Sequence, residues 1–224
     1  LKTILDAKRR EIQGKETDVV LVKKRNDVRS LKKAISKPGI SVIAEIKMRS
    51  PSKGDILPNA NPVQIAKDYE LAGASAISVL TDRQFFGGNI DILEAVRQAI
   101  SIPVLCKDFI ISNHQISEAA RAKADAFLII AEALKQNELQ SLIKFGKGIG
   151  LESILEFHSK KNAKVVTDLN PPIIGVNCRN LKTMTTDITY FKKMVSSLPT
   201  DSMKVAESGI YTPNDLKYVS ELGY

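Results

Sequence analysis

The chain has 224 residues, of which 43% are hydrophobic and 26% charged, and its net charge is +8. This length suits one domain with a sizeable core, and the longest apolar stretch falls far short of the ~20 residues that span a membrane. The basic residues are scattered and few aromatic residues lie beside them, which favours an anionic metabolite over nucleic acid as the binding partner.

The first predicted element is a helical extension over residues 1 to about 36. It is rich in lysine, and Ile4, Leu5 and Ile12 recur at roughly helical spacing. We interpret its densest basic cluster, residues 23–25, as a solvated helix face. The N-terminus carries an acidic residue and lacks the apolar segment of a secretory signal, so we expect a cytoplasmic protein.

Seven short β-branched runs follow, separated by amphipathic stretches. Residues 62–72 illustrate a predicted helix, because Asn61 is a candidate N-cap, Pro62 occupies the first turn and Gly73 marks the end. The runs between the helices are almost continuously apolar, which indicates parallel strands buried on both faces. The predicted strands lie within residues 41–47, 76–80, 102–107, 126–131, 153–157, 173–178 and 203–207.

This alternation suits either a (β/α)₈ barrel or a doubly wound sheet. A dinucleotide-binding sheet would carry a Gly-x-Gly-x-x-Gly turn after its first strand, and the sequence has none there. Polar residues instead recur at the C-terminal end of nearly every strand, where barrel enzymes carry their active sites. We therefore predict an α/β protein with one (β/α)₈ TIM-barrel domain over residues 1–224, in which residues 1–36 are an N-terminal helical extension.

The first predicted strand carries both signs of charge on one face. Side chains alternate along a strand, so Ile43, Glu45 and Lys47 point one way while Ala44 and Ile46 point the other. Closure of the barrel would bring this face together with the polar residues Lys107, Glu156, Asn177, Arg179, Glu207 and Ser208. Acids, bases and an amide in one pocket permit general acid–base catalysis on an anionic substrate, and a purely structural lattice of ion pairs is the alternative.

Five motifs in the chain are similar, in order and spacing, to those of one enzyme family. The first three span residues 44–54 (AEIKMRSPSKG), 78–88 (SVLTDRQFFGG) and 107–111 (KDFII). The other two span residues 175–181 (GVNCRNL) and 205–210 (VAESGI). In these motifs the chain resembles indole-3-glycerol phosphate synthase, a TIM-barrel enzyme of tryptophan biosynthesis.

The resemblance implies a lyase that uses no cofactor and no metal. Its substrate would be 1-(2-carboxyphenylamino)-1-deoxyribulose 5-phosphate, which closes a ring and loses CO₂ and water to give indole-3-glycerol phosphate. Lys107 would be the general acid that protonates the ketone, and Glu156 would act in the dehydration. Lys47 would bind substrate and assist proton transfer, and which lysine acts at which step stays open. Desolvation commonly lowers the pKa of a lysine, so we expect the acid to titrate near neutrality.

The resemblance also implies where the substrate binds. Arg179, Ser50 and Lys47 would hold the anthranilate carboxylate, for which a planar guanidinium is well suited. The side chains that orient the catalytic groups and the ribulose hydroxyls would be Glu45, Asn177, Glu207 and Ser208. Those packing on the aromatic ring would be Phe86, Phe109 and Leu128, and Gly209 would begin the phosphate site.

In the family, the barrel continues with an eighth strand and a Gly-rich turn that completes the phosphate site. This chain stops at Tyr224, where that strand would begin, so we expect the sequence to lack the last β/α unit. The expected partner is a small phosphorylated substrate rather than nucleic acid or a membrane. Association with other enzymes of the tryptophan pathway is an expectation of the same kind.

Two alternative functions stay open. One is another phosphate-binding barrel, such as phosphoribosylanthranilate isomerase, which typically uses a Cys/Asp or Asp/Asp pair. Cys106 precedes the inward-facing Lys107 and should face outward, which argues against that enzyme. The other is a non-catalytic anion-binding barrel, suggested by the net charge of +8. We interpret Cys106 and Cys178 as small buried apolar residues, and His114 and His158 as surface or supporting residues.

Overall fold

The computed structural model describes residues 1–15, 22–51, 54–56, 60–180 and 183–224. Three residues of the sequence motifs, Ser52, Lys53 and Leu181, lie outside these ranges. The strands are β1 (Ile43–Ile46), β2 (Arg49–Ser50), β3 (Gly54–Asp55), β4 (Ala76–Leu80), β5 (Val104–Lys107), β6 (Ala126–Ile130), β7 (Glu152–Phe157), β8 (Ile173–Asn177) and β9 (Met203–Glu207). The α-helices are α1 (Lys2–Ile12), α2 (Leu31–Ile35), α3 (Pro62–Leu71), α4 (Arg83–Phe86), α5 (Ile90–Ala99), α6 (Asn113–Arg121), α7 (Gln136–Gly148), α8 (Lys160–Leu169), α9 (Thr189–Val195) and α10 (Pro213–Glu221).

Seven strands of the described residues form one parallel sheet that curls strongly, so that its first and last strands face the same interior. Their order is β1-β4-β5-β6-β7-β8-β9, so the strands follow one another around the sheet as they do along the chain. In a flat sheet with strands about 4.8 Å apart, β1 and β9 would be roughly 29 Å from one another. The Nζ atom of Lys107 nevertheless lies 3.0 Å from Glu45 on β1 and 3.5 Å from Glu207 on β9. The sheet is therefore the wall of a (β/α)₈-type barrel, as predicted.

The strands divide the core into two layers. The interior of the barrel is filled by apolar side chains that include Ile43, Ala76, Leu105, Leu128, Ile154 and Ile173. The layer between the sheet and the helices receives the alternate residues of each strand, among them Ala44, Ile46 and Cys106. The predicted alternation along β1 and the outward position of Cys106 are both confirmed. Cys106 and Cys178 are buried, also as predicted.

The N-terminal extension is helical only in parts of its length. Its helices are α1 and α2, while residues 22–30 form neither helix nor strand. Lys23 and Lys24 are exposed there, as predicted, but the segment is not helical, so the prediction of a helix face is wrong. The segment lacks the apolar periodicity that stabilises a short helix against a core, and most helices of this length depend on such packing.

Helix α2 closes the N-terminal end of the barrel. Its Leu31 and Ile35 are buried in the interior layer. The Ser30 hydroxyl caps the helix by accepting from the Lys33 amide and also donates to Glu152 at the start of β7, 2.7 Å away. The other oxygen of Glu152 accepts from the Lys32 amide at 2.8 Å. The opposite end of the barrel, where the strands end, is therefore left for a functional site.

A buried ion pair stabilises the same N-terminal end. Asp125 is fully buried and accepts from Nε of Arg97 at 2.7 Å. The amides of Arg29 and Val104 also donate to this carboxylate, at 2.8 and 2.9 Å. Charged side chains on this face of a barrel serve stability rather than chemistry. Within the described ranges, no helix has the length and hydrophobicity needed to cross a bilayer.

Candidate active site

Strand β1 presents an acid and a base to the C-terminal mouth of the barrel. Lys47 Nζ lies 2.5 Å from Glu45 Oε1. The two side chains are 32% and 30% exposed, so they face an opening rather than the closed interior. Their position follows from the alternation of the strand, which places Ile43 in the apolar layer below them. The ionic residues of β1 therefore occupy the part of the interior face that water and a ligand can reach.

Lys107 ends β5 and lies at the centre of the cluster, within 3.5 Å of both Glu45 and Glu207. Burial by itself lowers the pKa of this lysine, but attraction to Glu45, Glu207 and Glu156 outweighs burial and raises the pKa. The converse holds for Glu45, since burial raises its pKa but Lys107 and Lys47 outweigh that effect and lower the pKa to about 2. The expectation that the acid lysine titrates near neutrality is therefore wrong for the ligand-free site.

Strands β7, β8 and β9 contribute two carboxyl groups and an amide to the same cluster. Asn177 Nδ2 donates to Glu156 Oε1 at 2.8 Å, and Asn177 Oδ1 accepts from the Arg179 amide at 3.0 Å, so the amide is oriented from both ends. Burial raises the pKa of Glu207 well above its ordinary value, and the charge of Glu156 and a hydrogen bond to it raise the pKa further against the attraction of Lys107. Glu207 therefore takes up a proton more readily than an ordinary carboxyl group and lies close enough to Glu156 to hydrogen-bond with it.

Gly175 on β8 gives the Glu207 side chain its space. In the sheet register, Gly175 lies beside Glu156 on one side and Val205 on the other. A Cβ atom at position 175 would collide with Oε1 of Glu207 and would lie 3.2 Å from Cγ2 of Ile154. Because the contact is with the carboxyl group itself, any larger residue here must displace Glu207.

The side chains predicted to bind an aromatic ring meet at one side of the mouth. The rings of Phe86 and Phe109 have their centroids 5.9 Å apart, with an interplanar angle of 34°. Phe86 ends helix α4, and Phe109 follows β5 by two residues. Phe109 packs against the interior layer that contains Leu128, and Leu128 is 1% exposed. Leu128 therefore belongs to the floor below the aromatic pair.

The other predicted binding residues lie in the segments around the rim. Ser50 is buried in the hairpin formed by β2 and β3. Arg179 forms a backbone bridge with Thr186, and its guanidinium donates to the Met184 carbonyl at 3.4 Å, so its own loop orients it. Ser208 and Gly209 both have φ of +69°. A positive φ is uncommon for serine and indicates a constrained turn immediately after Glu207.

One polar cluster at this rim was missed in the sequence. Lys8 on α1 is buried, and its Nζ lies 3.2 Å from Asp82 and 2.9 Å from Asp108. The available signal was the position of Lys8 on the helix face that it shares with Leu5 and Ile12, where a solvated charge would not lie. A lysine on the buried face of an amphipathic helix implies a buried acidic partner.

The arrangement at the mouth is suited to moving protons on an anionic molecule. It combines a stable ammonium donor, ionised carboxylates and a carboxyl pair that holds a proton, all within hydrogen-bonding reach of a common space. The two histidines support other elements, because His114 is buried on α6 and His158 pairs with Glu132 at 3.2 Å. The titratable and amide side chains gathered at the mouth are therefore those of lysine, glutamate and asparagine.

The chain is similar over its whole length to one family of enzymes. The family model of indole-3-glycerol phosphate synthase matches residues 1–224. The enzyme of that name from Halalkalibacterium halodurans is 44% identical over 227 residues, which cover 100% of this chain and 87% of that protein. Those from a Geobacillus species and Mycolicibacterium gilvum are 43% and 41% identical, over 100% and 96% of this chain and 87% and 82% of those proteins.

A solved structure with a different activity shares the fold. It is the N-acetylmannosamine-6-phosphate 2-epimerase from Clostridium perfringens, with a TM-score of 0.63 and 89% of each chain covered. The identity is 10%, so this likeness concerns the barrel and not the chemistry.

Proposed function

The chain belongs to the indole-3-glycerol phosphate synthase family, and we propose that the mouth of its barrel converts 1-(2-carboxyphenylamino)-1-deoxyribulose 5-phosphate to indole-3-glycerol phosphate. The family's reaction is a carboxy-lyase step of tryptophan biosynthesis. The ring carbon that bears the carboxylate attacks the ketone carbon, and the ketone oxygen takes a proton. Loss of CO₂ restores the aromatic ring, and loss of the new hydroxyl as water completes the indole.

Lys107 is the proton donor to the ketone in this proposal. An ammonium has three N–H donors, and the contacts with Glu45 and Glu207 use two of them, which leaves one for a ketone oxygen. The carboxylates that raise the pKa of Lys107 keep it protonated in the resting enzyme. Because the same carboxylates retain the proton, substrate binding must loosen at least one of these ion pairs before the transfer.

Glu156 acts in the dehydration. Its hydrogen bond with Glu207 keeps a proton in the carboxyl pair, so the pair can protonate a leaving hydroxyl or accept a proton from the new ring. Asn177 fixes the orientation of Glu156 through its side-chain amide. Lys47, paired with Glu45, supplies a second cation that binds substrate and assists proton transfer.

The substrate is bound by groups around this cluster. Arg179, Ser50 and Lys47 hold the anthranilate carboxylate, and Phe86 and Phe109 pack on the ring above Leu128. The groups that orient the catalytic side chains and the ribulose hydroxyls are Glu45, Asn177, Glu207 and Ser208. Gly209, in the turn after β9, begins the phosphate site, in the region where barrels commonly bind phosphate.

The contact of Lys107 with both Glu45 and Glu207 carries the proposal, because it joins residues from three strands and three sequence motifs. The isomerase alternative loses support because Cys106 packs outside the barrel, where burial raises its pKa to about 12. The non-catalytic alternative is disfavoured because ionisable groups with raised and lowered pKa values converge in one opening, an arrangement more typical of catalytic sites than of simple anion binding.

Turnover of the carboxyphenylamino substrate tests the proposal directly. The chain contains no tryptophan, so the fluorescence of the indole product rises over a low protein background. We expect a saturable increase with purified protein and none with phosphoribosylanthranilate, the substrate of the isomerase. A folded protein that isomerised the second compound and left the first unchanged would establish the alternative.

We also propose that the enzyme works in the cytoplasm on a small phosphorylated substrate and binds neither nucleic acid nor membranes. Support comes from the scattered basic residues of the sequence. Association with other tryptophan-pathway enzymes is a further part of the proposal. Co-elution of the purified proteins on a sizing column is the expected result, and separate elution at micromolar concentration would contradict it.

A further inference from the structure

A buried lysine joins the N-terminal helix to the mouth of the barrel. The Lys8 side chain is 3% exposed, and those of its partners Asp82 and Asp108 are 1% and 13% exposed. The exposed Glu11 completes the cluster at 2.9 Å. Burial lowers the pKa of Lys8, but Asp108, Glu11 and Asp82 outweigh burial and raise it, so the ammonium stays charged. Leu5 and Ile12 already pack α1 against the barrel through apolar contacts, and a buried lysine adds little to such packing. The buried charge therefore implies a specific role for Lys8.

The two aspartates on Lys8 also bind the backbone of the aromatic residues. Oδ1 of Asp82 accepts from the Phe85 amide at 2.7 Å and from the Phe86 amide at 3.3 Å, while Oδ2 contacts Lys8. Asp82 therefore has one contact with the ammonium and others with the peptide that carries an aromatic ring. The carboxylate of Asp82 fixes the start of helix α4, which ends at Phe86.

Asp108 makes the equivalent connection on the neighbouring loop. Its Oδ1 accepts from the Phe109 amide at 2.7 Å and contacts Lys8 at 2.9 Å. Its Oδ2 accepts from the Thr81 hydroxyl at 2.7 Å. The Thr81 amide in turn donates to the Lys107 carbonyl at 3.1 Å, so the loops after β4 and β5 are joined immediately beside the proton donor.

We propose that Lys8 is a positioning residue for the aryl-binding side of the site: its ammonium joins Asp82 and Asp108, and these fix Phe86 and Phe109 at the spacing that receives the substrate's ring. The inference rests on the proposed function. Without the ammonium, the two buried carboxylates would keep their hydrogen bonds but lose their countercharge, and their mutual repulsion would move the loops apart. The N-terminal helix is thereby part of the substrate site, although it contributes no group to the proton transfers.

The test compares Lys8→Gln with Arg9→Gln, its neighbour on the exposed side of α1, where Arg9 pairs with Asp6. Glutamine at position 8 keeps most of the stem and can donate to an aspartate, but it lacks the charge. We expect Lys8→Gln to raise KM about tenfold while kcat falls less than threefold, because the lost interaction concerns ring placement. The inhibition constant of anthranilate should rise by the same factor, and that of inorganic phosphate should stay unchanged. Lys8→Arg, which keeps the charge, should restore most of the affinity.

Hydrogen exchange gives a readout that does not depend on turnover. Lys8→Gln should speed amide exchange in residues 82–88 and 108–111 and leave residues 173–178 unchanged, and Arg9→Gln should change none of them. If Lys8→Gln does not fold, Thr81→Val removes the hydroxyl that donates to Asp108 and contacts Cys106 Sγ, and it should speed exchange at Phe109 but not at Phe86.

The outcomes separate this inference from the proposed function. Absence of turnover by the wild-type protein would contradict the proposed function. Anthranilate binding and amide exchange near Phe86 and Phe109 could still be measured in that protein, so they would still test the role of Lys8. A folded, active Lys8→Gln with unchanged KM, anthranilate inhibition and exchange would show that Lys8 only stabilises the fold and would overturn the inference. Equal exchange at Phe86 and Phe109 in Thr81→Val would overturn it too.

Discussion

At the scale of single residues, Lys107→Met tests the proton donor. Methionine keeps most of the stem volume but has no proton to give, and loss of a positioned general acid lowers a rate by ~10²–10⁴-fold. Since the binding contacts for the carboxylate and the ring lie elsewhere, we expect kcat to fall by that factor and KM to change little. The variant leaves three carboxyl groups around position 107 without the lysine's positive charge. We therefore expect a urea titration to show a small loss of stability. A kcat of Lys107→Met near the wild-type value would show that Lys107 is not the proton donor and would assign that role to Lys47.

Glu207→Gln tests the carboxyl pair through the pH dependence of stability. The pKa of Glu207 is raised in the folded protein, so above the ordinary carboxyl pKa the folded state binds more protons than the unfolded state, and stability is lost as pH rises towards the raised pKa. Glutamine removes that loss, and each pKa unit corresponds to about 1.4 kcal/mol. We expect the variant to unfold at higher urea than wild type at pH 7.5, with the difference shrinking by pH 4, while kcat falls.

A pH-independent difference between Glu207→Gln and wild type would contradict this account of the pair. The expected gain in stability with a loss of activity is the usual relation where a catalytic group is held in an unfavourable environment. Glu45 should behave in the opposite sense, because its pKa is lowered to about 2 and its contribution to stability is lost only as the pH falls from its ordinary carboxyl pKa towards 2.

At the scale of elements, strand β8 contributes to the site through Gly175, whose lack of a side chain leaves space for the Glu207 carboxyl group. Gly175→Ala places a methyl group against the Glu207 carboxyl, so we expect kcat to fall at least about tenfold while the barrel still folds. Gly148→Ala on α7 is the matched control, since nothing lies within 4 Å of its new methyl group. Alanine in a helix is favoured over glycine by roughly 0.5–1 kcal/mol, so the control should be slightly more stable and fully active. Equal activity of the two variants would show that Glu207 tolerates displacement.

The elements differ in how far the sequence alone could predict them. The seven sheet strands were predictable because buried parallel strands are continuous apolar runs, and their polar ends then indicated the rim. Residues 22–30 were not, because their charges gave no periodicity to distinguish a helix from an irregular segment. The direction of the Lys107 pKa shift could not be predicted from the sequence either, because it depends on carboxylates that the curled sheet brings together from β1, β7 and β9.

At the scale of the whole molecule, the two ends of the barrel have separate tasks. The N-terminal end is closed by α2 and by the Arg97–Asp125 pair, which serve stability. The C-terminal end gathers residues from motifs as far apart as Glu45 and Glu207, and α1 reaches it through Lys8. The motifs indicated the candidate catalytic residues in the sequence, whereas the link from α1 became visible only when the loops after β4 and β5 were brought together.

The central claim is that one cluster of lysine and carboxyl groups closes the ring, releases CO₂ and removes water. Its most direct test uses substrate labelled with ¹³C in the anthranilate carboxylate and measures labelled CO₂ and indole-3-glycerol phosphate in the same reaction. We predict that the wild-type protein forms the two products in equal amounts, and that Lys107→Met forms both at the same greatly reduced rate. Folded wild-type protein that releases neither product, or a Lys107→Met variant that releases both at the wild-type rate, would contradict the account.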